Sequence, residues 1–163
     1  MKNIVLTGMP GAGKSTVGVL LAKAKLCSFV DTDLIIQSRY KKSLCEIMAE
    51  NGVDGFLKIE NDVICECEFE NSVVATGGSA VYGKEAMEKL RKNGTVVYLK
   101  LPVNELEKRL VNIRTRGVAM EKGETIEQLF QKRKELYEKY AHVTVDCSGL
   151  SAEECVEEIL KKI

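Results

Sequence analysis

Gly8-Met9-Pro10-Gly11-Ala12-Gly13-Lys14-Ser15 fits the pattern G-x-x-x-x-G-K-[ST] at every fixed position, and its flanks decide what it means. Before it, Lys2 to Leu6 is a short apolar run that ends at Thr7. After it, Thr16 to Leu26 carries Val17, Leu20, Leu21 and Ala24 at helical spacing. A glycine-rich turn between a strand and a helix is the setting in which this pattern cradles phosphates. The glycines let the backbone curl so that successive N–H groups point inward, and the helix adds the positive end of its dipole. Gly11, Ala12, Gly13, Lys14, Ser15 and Thr16 are the expected nucleotide contacts. Lys14 is expected to reach the β- and γ-phosphates, and the Ser15 hydroxyl to meet a magnesium ion that bridges them. ATP with Mg2+ is therefore the expected ligand. The loop does not say what receives the phosphate, because GTPases, motor ATPases and metabolite kinases share it.

Working outward, strands and helices alternate. Phe29-Val30 leads into Asp31-Thr32-Asp33, followed by helical stretches at Leu34 to Arg39, Ser43 to Glu50 and Phe56 to Cys67, with breaks near Lys41 and at Asn51-Gly52. Val73 to Thr76 reads as a strand closed by Gly77-Gly78-Ser79. A helix over Lys84 to Lys92 and a β-branched strand over Thr95 to Leu99 come next. Pro102 opens a helix to about Arg114, and a polar stretch follows. Thr125 caps a helix to Tyr140, Val143 to Val145 is a fifth strand, and Ser151 with Glu154 forms a capping box for the last helix. This order predicts an α/β fold in three layers, a five-stranded parallel sheet flanked by helices, with ligands at the carboxyl ends of the strands. One domain spanning 1–163 is expected, with acceptor-binding helices over about 34–70 and a lid over about 114–124.

Composition narrows the partners. Of 163 residues, 45% are hydrophobic and 29% charged, and 24 basic residues balance 24 acidic ones, so no net field draws the chain to nucleic acid or an anionic membrane. The apolar runs fall far short of the roughly 20 residues of a membrane helix. Met1-Lys2-Asn3 lacks a signal-peptide layout, so a cytoplasmic location is expected, and a monomer by default. The six cysteines read as reduced thiols, and Cys65-Glu66-Cys67 lacks the spacer and second pair of a structural metal site.

Asp31-Thr32-Asp33 after the second strand, Ala75-Thr76-Gly77-Gly78 after the third and Arg133-Lys134-Glu135-Leu136-Tyr137 late in the chain share the order and spacing of one family. Together with the phosphate loop, they make the whole chain from Lys2 onward resemble the shikimate kinases. The resemblance implies transfer of the γ-phosphoryl of ATP to shikimate, giving shikimate 3-phosphate, a step of aromatic amino acid biosynthesis. It implies that Asp31 holds a magnesium-bound water and that Asp33 hydrogen-bonds the acceptor hydroxyl as the candidate base. It further implies that the Gly77 and Gly78 amides approach the acceptor or the γ-phosphate, and that Arg133 grips the acceptor carboxylate. Arg116 matches the lid arginine that closes over the phosphates, and Arg109 the position that packs against adenine. Read without the family, Asp-x-Asp is also a helix N-cap with a surface carboxylate, Gly77-Gly78 a turn and Arg133 a solvated helix charge. His142, the single histidine, begins the last strand and reads as structural.

Three departures gather on the acceptor side. The family carries Phe-Arg-x-x-Glu after the second strand, where this chain has Phe56-Leu57-Lys58-Ile59-Glu60. Lys58 does not replace the missing arginine, because the next helical residue points about 100° away. Ser79 stands where a third glycine is usual, and Gly117-Val118 follows Arg116 where a proline is customary. These leave open a kinase of the same fold acting on another small hydroxylated metabolite, and a nucleotide-binding regulator that has lost catalysis. Asp54-Gly55-Phe56 faintly echoes the nucleotide-gripping segment of adenylate kinases, but it falls in a helical stretch before the third strand with no arginine after it.

Overall fold

The computed structural model describes residues 2–110 and 117–163. Strands β1 (Asn3–Thr7), β2 (Ser28–Asp31), β3 (Ser72–Ala75), β4 (Gly94–Lys100) and β5 (Val143–Asp146) form one parallel sheet in the order β2-β3-β1-β4-β5. Val5, Leu6, Val73, Val74, Val96 and Val97 are fully buried. Such unbroken apolar runs are what a parallel sheet covered on both faces requires. Helix α1 (Lys14–Lys25) packs against α7 (Ala152–Lys162), β2 and β3. Helix α4 (Lys84–Asn93) packs against α3 (Leu44–Glu66), β4 and α6 (Ile126–Tyr140).

Register aligns the strand ends. Leu6 pairs with Ala75, and Ala75 with Asp31, so β1, β3 and β2 end in one row and release their loops along the same edge. Two threonines fasten that edge. The Thr76 N–H and hydroxyl both donate to the Leu6 carbonyl at 3.1 Å, and the Gly77 N–H donates to the Thr32 hydroxyl at 3.2 Å.

Helix α2 (Thr32–Tyr40) starts earlier than its apolar spacing suggests because Asp31 caps it, its side chain accepting from the Asp33 N–H. The expected break at Asn51-Gly52 is a kink inside α3, with Gly52 at φ 71° and ψ 176°. Beyond the kink, Phe56, Glu60 and Val63 share a buried face. Helix α5 (Val103–Arg109) has Leu110 as its cap, the remainder of the stretch expected to run to Arg114 lies outside the described residues, and buried Leu110 packs against Gly11 of the phosphate loop. Capping boxes at Thr125 and Ser151 start α6 and α7 as expected. A single 3-10 turn at Ala80–Tyr82, which no pattern announced, follows the glycine pair.

Buried Asn3 joins β1 to the start of β3. Its amide donates to the Phe69 carbonyl at 2.6 Å and its oxygen accepts from the Ser72 N–H at 3.0 Å. Asn3→Ala strands both partners, so chemical denaturation should show a loss of about 1 to 3 kcal/mol. Nucleotide affinity should be unchanged, since Asn3 lies at the opposite end of β1 from the loop.

Candidate active site

The site begins with the turn after β1. Gly8, Gly11 and Gly13 have φ of 149°, 81° and 90°, which L side chains rarely adopt. Gly13 precedes α1 without any side-chain cap bond, so the first-turn N–H groups of the helix have no side-chain partner there and face the cleft. The Lys14 ammonium folds back onto the loop, donating to the Gly8 and Met9 carbonyls at 2.8 and 2.9 Å. Burial lowers its pKa to about 8, with Asp33 pulling the other way. Ala12 is placed differently from its neighbours. It is buried beneath the loop, and its N–H donates to the Met9 carbonyl, closing the turn rather than facing outward.

Ser15 and the strand-end carboxylates form the next layer. The Ser15 hydroxyl donates to Asp31 Oδ2 at 2.6 Å, while Asp31 Oδ1 accepts from the Asp33 N–H at 3.0 Å. Asp31 is thus both a helix cap and a partner of the phosphate loop. A hydroxyl and a carboxylate oxygen side by side suit magnesium, which takes hard oxygen donors and few protein ligands when phosphates supply the rest. Asp33 turns toward the acceptor side. Burial raises its pKa to about 6, with Asp31 adding to the rise and Lys14 opposing it.

A cleft of about 410 Å³ is lined by Gly11, Gly13, Lys14, Ser15, Thr16 and Asp33. Gly77, Gly78, Ser79, Phe56, Leu44 and Arg133 line it as well. Gly77 is needed for close approach: a Cβ there would stand 2.7 Å from Asp33 Oδ1 and 2.2 Å from Glu60 Oε1. At Gly78 it would meet the Pro10 ring at 2.7 Å. Arg133 is not a solvated helix charge, for it is 1% exposed. Its Nη2 donates to the Ala119 carbonyl at 2.5 Å and its guanidinium lies 5.3 Å from the centre of the Tyr82 ring. Its Nε and Nη1 have no hydrogen-bond partner. One turn on, Tyr137 stacks on Tyr98 with ring centres 5.0 Å apart and donates to the Gly78 carbonyl at 2.6 Å. The same face of α6 therefore holds Arg133 and the glycine pair.

Arg109 lies at the far edge of the loop, its Nη1 3.4 Å from the Gly11 carbonyl. Arg116 falls outside the described residues. Gly117, next to it, packs against α3, where a Cβ would stand 2.6 Å from Leu44 Cβ. Leu57 packs with the apolar cluster of Ile36, Leu44, Ile47 and Phe56. Position 57 therefore brings no cation to the cleft. His142 sits at the other end of the sheet, its Nδ1 accepting from the Val96 N–H at 2.9 Å and its own N–H donating to the Val96 carbonyl. Asp54 and Gly55 lie within α3.

Two participants had been given no role. Glu60 is 1% exposed and its Oε2 accepts from the Ser79 hydroxyl at 2.5 Å, while Oε1 is unpartnered. Burial raises its pKa to about 7, and the Ser79 hydrogen bond opposes that rise. The signal for Glu60 was a lone acid on an apolar helix face, four residues after Phe56. Tyr137 carried a weaker one, its spacing of four from Arg133.

A family profile described as Shikimate kinase matches residues 10–163. The shikimate kinase of Parabacteroides distasonis is 40% identical over 168 residues, covering 98% of this chain and 95% of that protein. That of Bacillus anthracis is 34% identical, covering 100% and 99%. Among solved structures, a shikimate kinase from Acinetobacter baumannii in complex with shikimate superposes with a TM-score of 0.91 at 31% identity, covering 99% of this chain and 92% of that one. With its phosphate loop, its paired strand-end aspartates and its buried arginine on one cleft, and with relatives matching from end to end, this chain belongs to the shikimate kinase family.

Proposed function

We propose that this chain transfers the γ-phosphoryl group of ATP to a hydroxyl of shikimate. The observation that carries the reading is that Asp33 and Arg133 line one cleft together with the Lys14 loop. A nucleotide-binding regulator needs the loop but neither of these two groups. Arg133 offers Nε and Nη1, the planar fork that matches a carboxylate, and so holds the acid end of the acceptor. Asp33 accepts a hydrogen bond from the reacting hydroxyl and aims its oxygen at the γ-phosphorus. As the new P–O bond forms, the bond to the β-phosphate oxygen breaks, ADP leaves, and the hydroxyl proton passes to Asp33. Lys14 and the Gly78 amide face the phosphate charge, whereas the Gly77 amide is taken by the Thr32 hydroxyl and serves the cleft only by lacking a Cβ; Arg109 borders the nucleotide at the loop's edge. Arg116 is assigned to the lid by family resemblance alone. Ser15 and Asp31 would hold magnesium, which would offset the charge of the phosphates. Positioning contributes more than basicity, because the transition state is largely dissociative.

Leu57 favours a second reading. A cleft with Arg133 as its acceptor-side cation also suits a hydroxylated acceptor less anionic than shikimate. ADP release with shikimate against a panel of neutral polyols separates the two: turnover only on a polyol overturns shikimate as the substrate.

Asp33→Asn should lower kcat by about a hundredfold or more while leaving the Kd for ATP close to wild type. A parallel loss of both overturns the role of Asp33. Because Asp33 acts ionised and its pKa is raised to about 6, kcat/KM for the acceptor should fall as pH drops through about 6. Because Lys14 acts charged and its pKa is lowered to about 8, kcat/KM for ATP should fall as pH rises through about 8. Pre-steady-state and steady-state profiles of the wild type and Asp33→Asn should show the acidic limb only in the former.

Asp31→Asn keeps a residue that caps α2 equally well and removes the charge beside Ser15. It should raise the magnesium concentration for half-maximal activity with little change in thermal stability, a shift read by magnesium titration at fixed ATP.

A further inference from the structure

Glu60 and Arg133 are both 1% exposed and near enough to act on each other's charge, Arg133 lining the cleft and Glu60 lying behind Gly77 and Ser79, yet they do not pair. Buried charges of opposite sign ordinarily find each other, since leaving either alone costs several kcal/mol of lost solvation. Among the described residues Arg133 makes no ion pair, its Nε and Nη1 are unpartnered, and so is Glu60 Oε1. What holds Glu60 is one bond, the Ser79 hydroxyl donating to Oε2 at 2.5 Å. Gly77, with no Cβ, leaves the space in which Oε1 rests.

We propose that Ser79 is a positioning residue for the acceptor: its hydroxyl anchors the Glu60 carboxylate away from Arg133, so that the guanidinium stays open to the acceptor's own carboxylate. The inference rests on the acceptor role given to Arg133 above. A carboxylate of the protein that reached Nε and Nη1 would occupy the same fork an acceptor needs, and would do so at the effective concentration of a tethered group. With leucine at position 57 packed against the apolar cluster, Arg133 is the one arginine lining the cleft among the described residues, and Glu60 would compete with the acceptor for it. The anchored carboxylate still acts at a distance. Burial disfavours its charge most and raises its pKa, while the Ser79 hydrogen bond, Arg133 and Lys14 oppose that rise without the carboxylate covering the guanidinium's donors. The serine at 79 and the leucine at 57 thus belong together: one departure removes a cation, and the other protects the cation that is left.

Steady-state kinetics of the full chain with magnesium-ATP and shikimate tests this. Ser79→Ala should raise the KM for shikimate about tenfold, the worth of one charge-assisted contact, with kcat and the KM for ATP close to wild type. Adding Glu60→Gln should restore the KM, because a neutral amide does not compete for Arg133, and Glu60→Gln alone should not raise it. A purely structural serine would show no such rescue. Should Ser79→Ala fail to fold, as read by its thermal melt, Ser79→Cys keeps the shape, weakens the donor and is read the same way. An unchanged KM in the serine variant, or a raised KM that Glu60→Gln does not repair, overturns the proposal. Arg133→Met separates this failure from that of the functional reading. If it leaves the KM unchanged, Arg133 does not hold the acceptor and both ideas fall; if it raises the KM while the serine variant does not, only the role of Ser79 falls.

Discussion

The chain leaves β1 at Thr7 with β4 hydrogen-bonded alongside it, and has to turn at the next residue. At Gly8 a Cβ would stand 2.7 Å from the Leu99 carbonyl oxygen, a backbone atom of β4 that cannot rotate aside. Only glycine fits, and its φ of 149° starts the curl that the positive φ values of Gly11 and Gly13 continue. The rest of the site follows from that curl. It aims the Gly8 and Met9 carbonyls at Lys14, brings the start of α1 under the cleft, and sets Ser15 beside Asp31. Met9 also passes beneath the Tyr137 hydroxyl, so the same turn touches the helix that carries Arg133.

Around that loop the protein gathers charges that burial disfavours. Lys14 is lowered to about 8, while Asp33 and Glu60 are raised to about 6 and 7, each chiefly by loss of water. For the two acids the folded pKa lies above the unfolded one, so the native state binds protons more readily and their contribution to stability is lost as pH rises through the acid range toward 7. For Lys14 the folded value is the lower one, and its unfavourable contribution fades only as pH climbs above about 8. At neutral pH the empty cleft therefore works against stability on both counts. Charges that the protein alone leaves undercompensated are the arrangement expected of a site shaped for ligands.

The turn of the phosphate loop was legible because Gly8, Gly11 and Gly13 answer a local demand for positive φ. The helix break at Asn51-Gly52 and the caps at Thr125 and Ser151 were legible for the same reason. Asp31-Thr32-Asp33 was half legible. Its cap reading and its site reading looked like rivals, whereas Asp31 uses one oxygen for each. What stayed hidden are contacts between residues distant in the chain. Nothing local in Glu60 announces Ser79, nothing in Tyr137 announces Gly78, and nothing in Ala12 says that its amide closes the turn beneath the loop. Arg133 was legible as an arginine on an amphipathic helix, and its family resemblance supplied a role. Its burial, and the two nitrogens left open there, come from packing against Tyr82 and Ala119 that spacing does not encode.

The two sides of the cleft are held by different means. The phosphate side consists of strand ends, locked by ladder hydrogen bonds and by the threonine links from Thr76 to Leu6 and from Gly77 to Thr32. A side-chain change there disturbs backbone that β1 needs. The rest of the cleft wall includes side chains projecting from α3 and α6, Phe56 from one and Arg133 from the other, on helices whose backbone bonds are internal. Exchanging one of these groups leaves the loop where it is. That asymmetry is why the departures at Leu57 and Ser79 leave the nucleotide machinery intact. It is also why Arg133, held by the Ala119 carbonyl and followed one turn later by the stacked Tyr137, is rigid enough to orient an acceptor from a helix rather than a strand end.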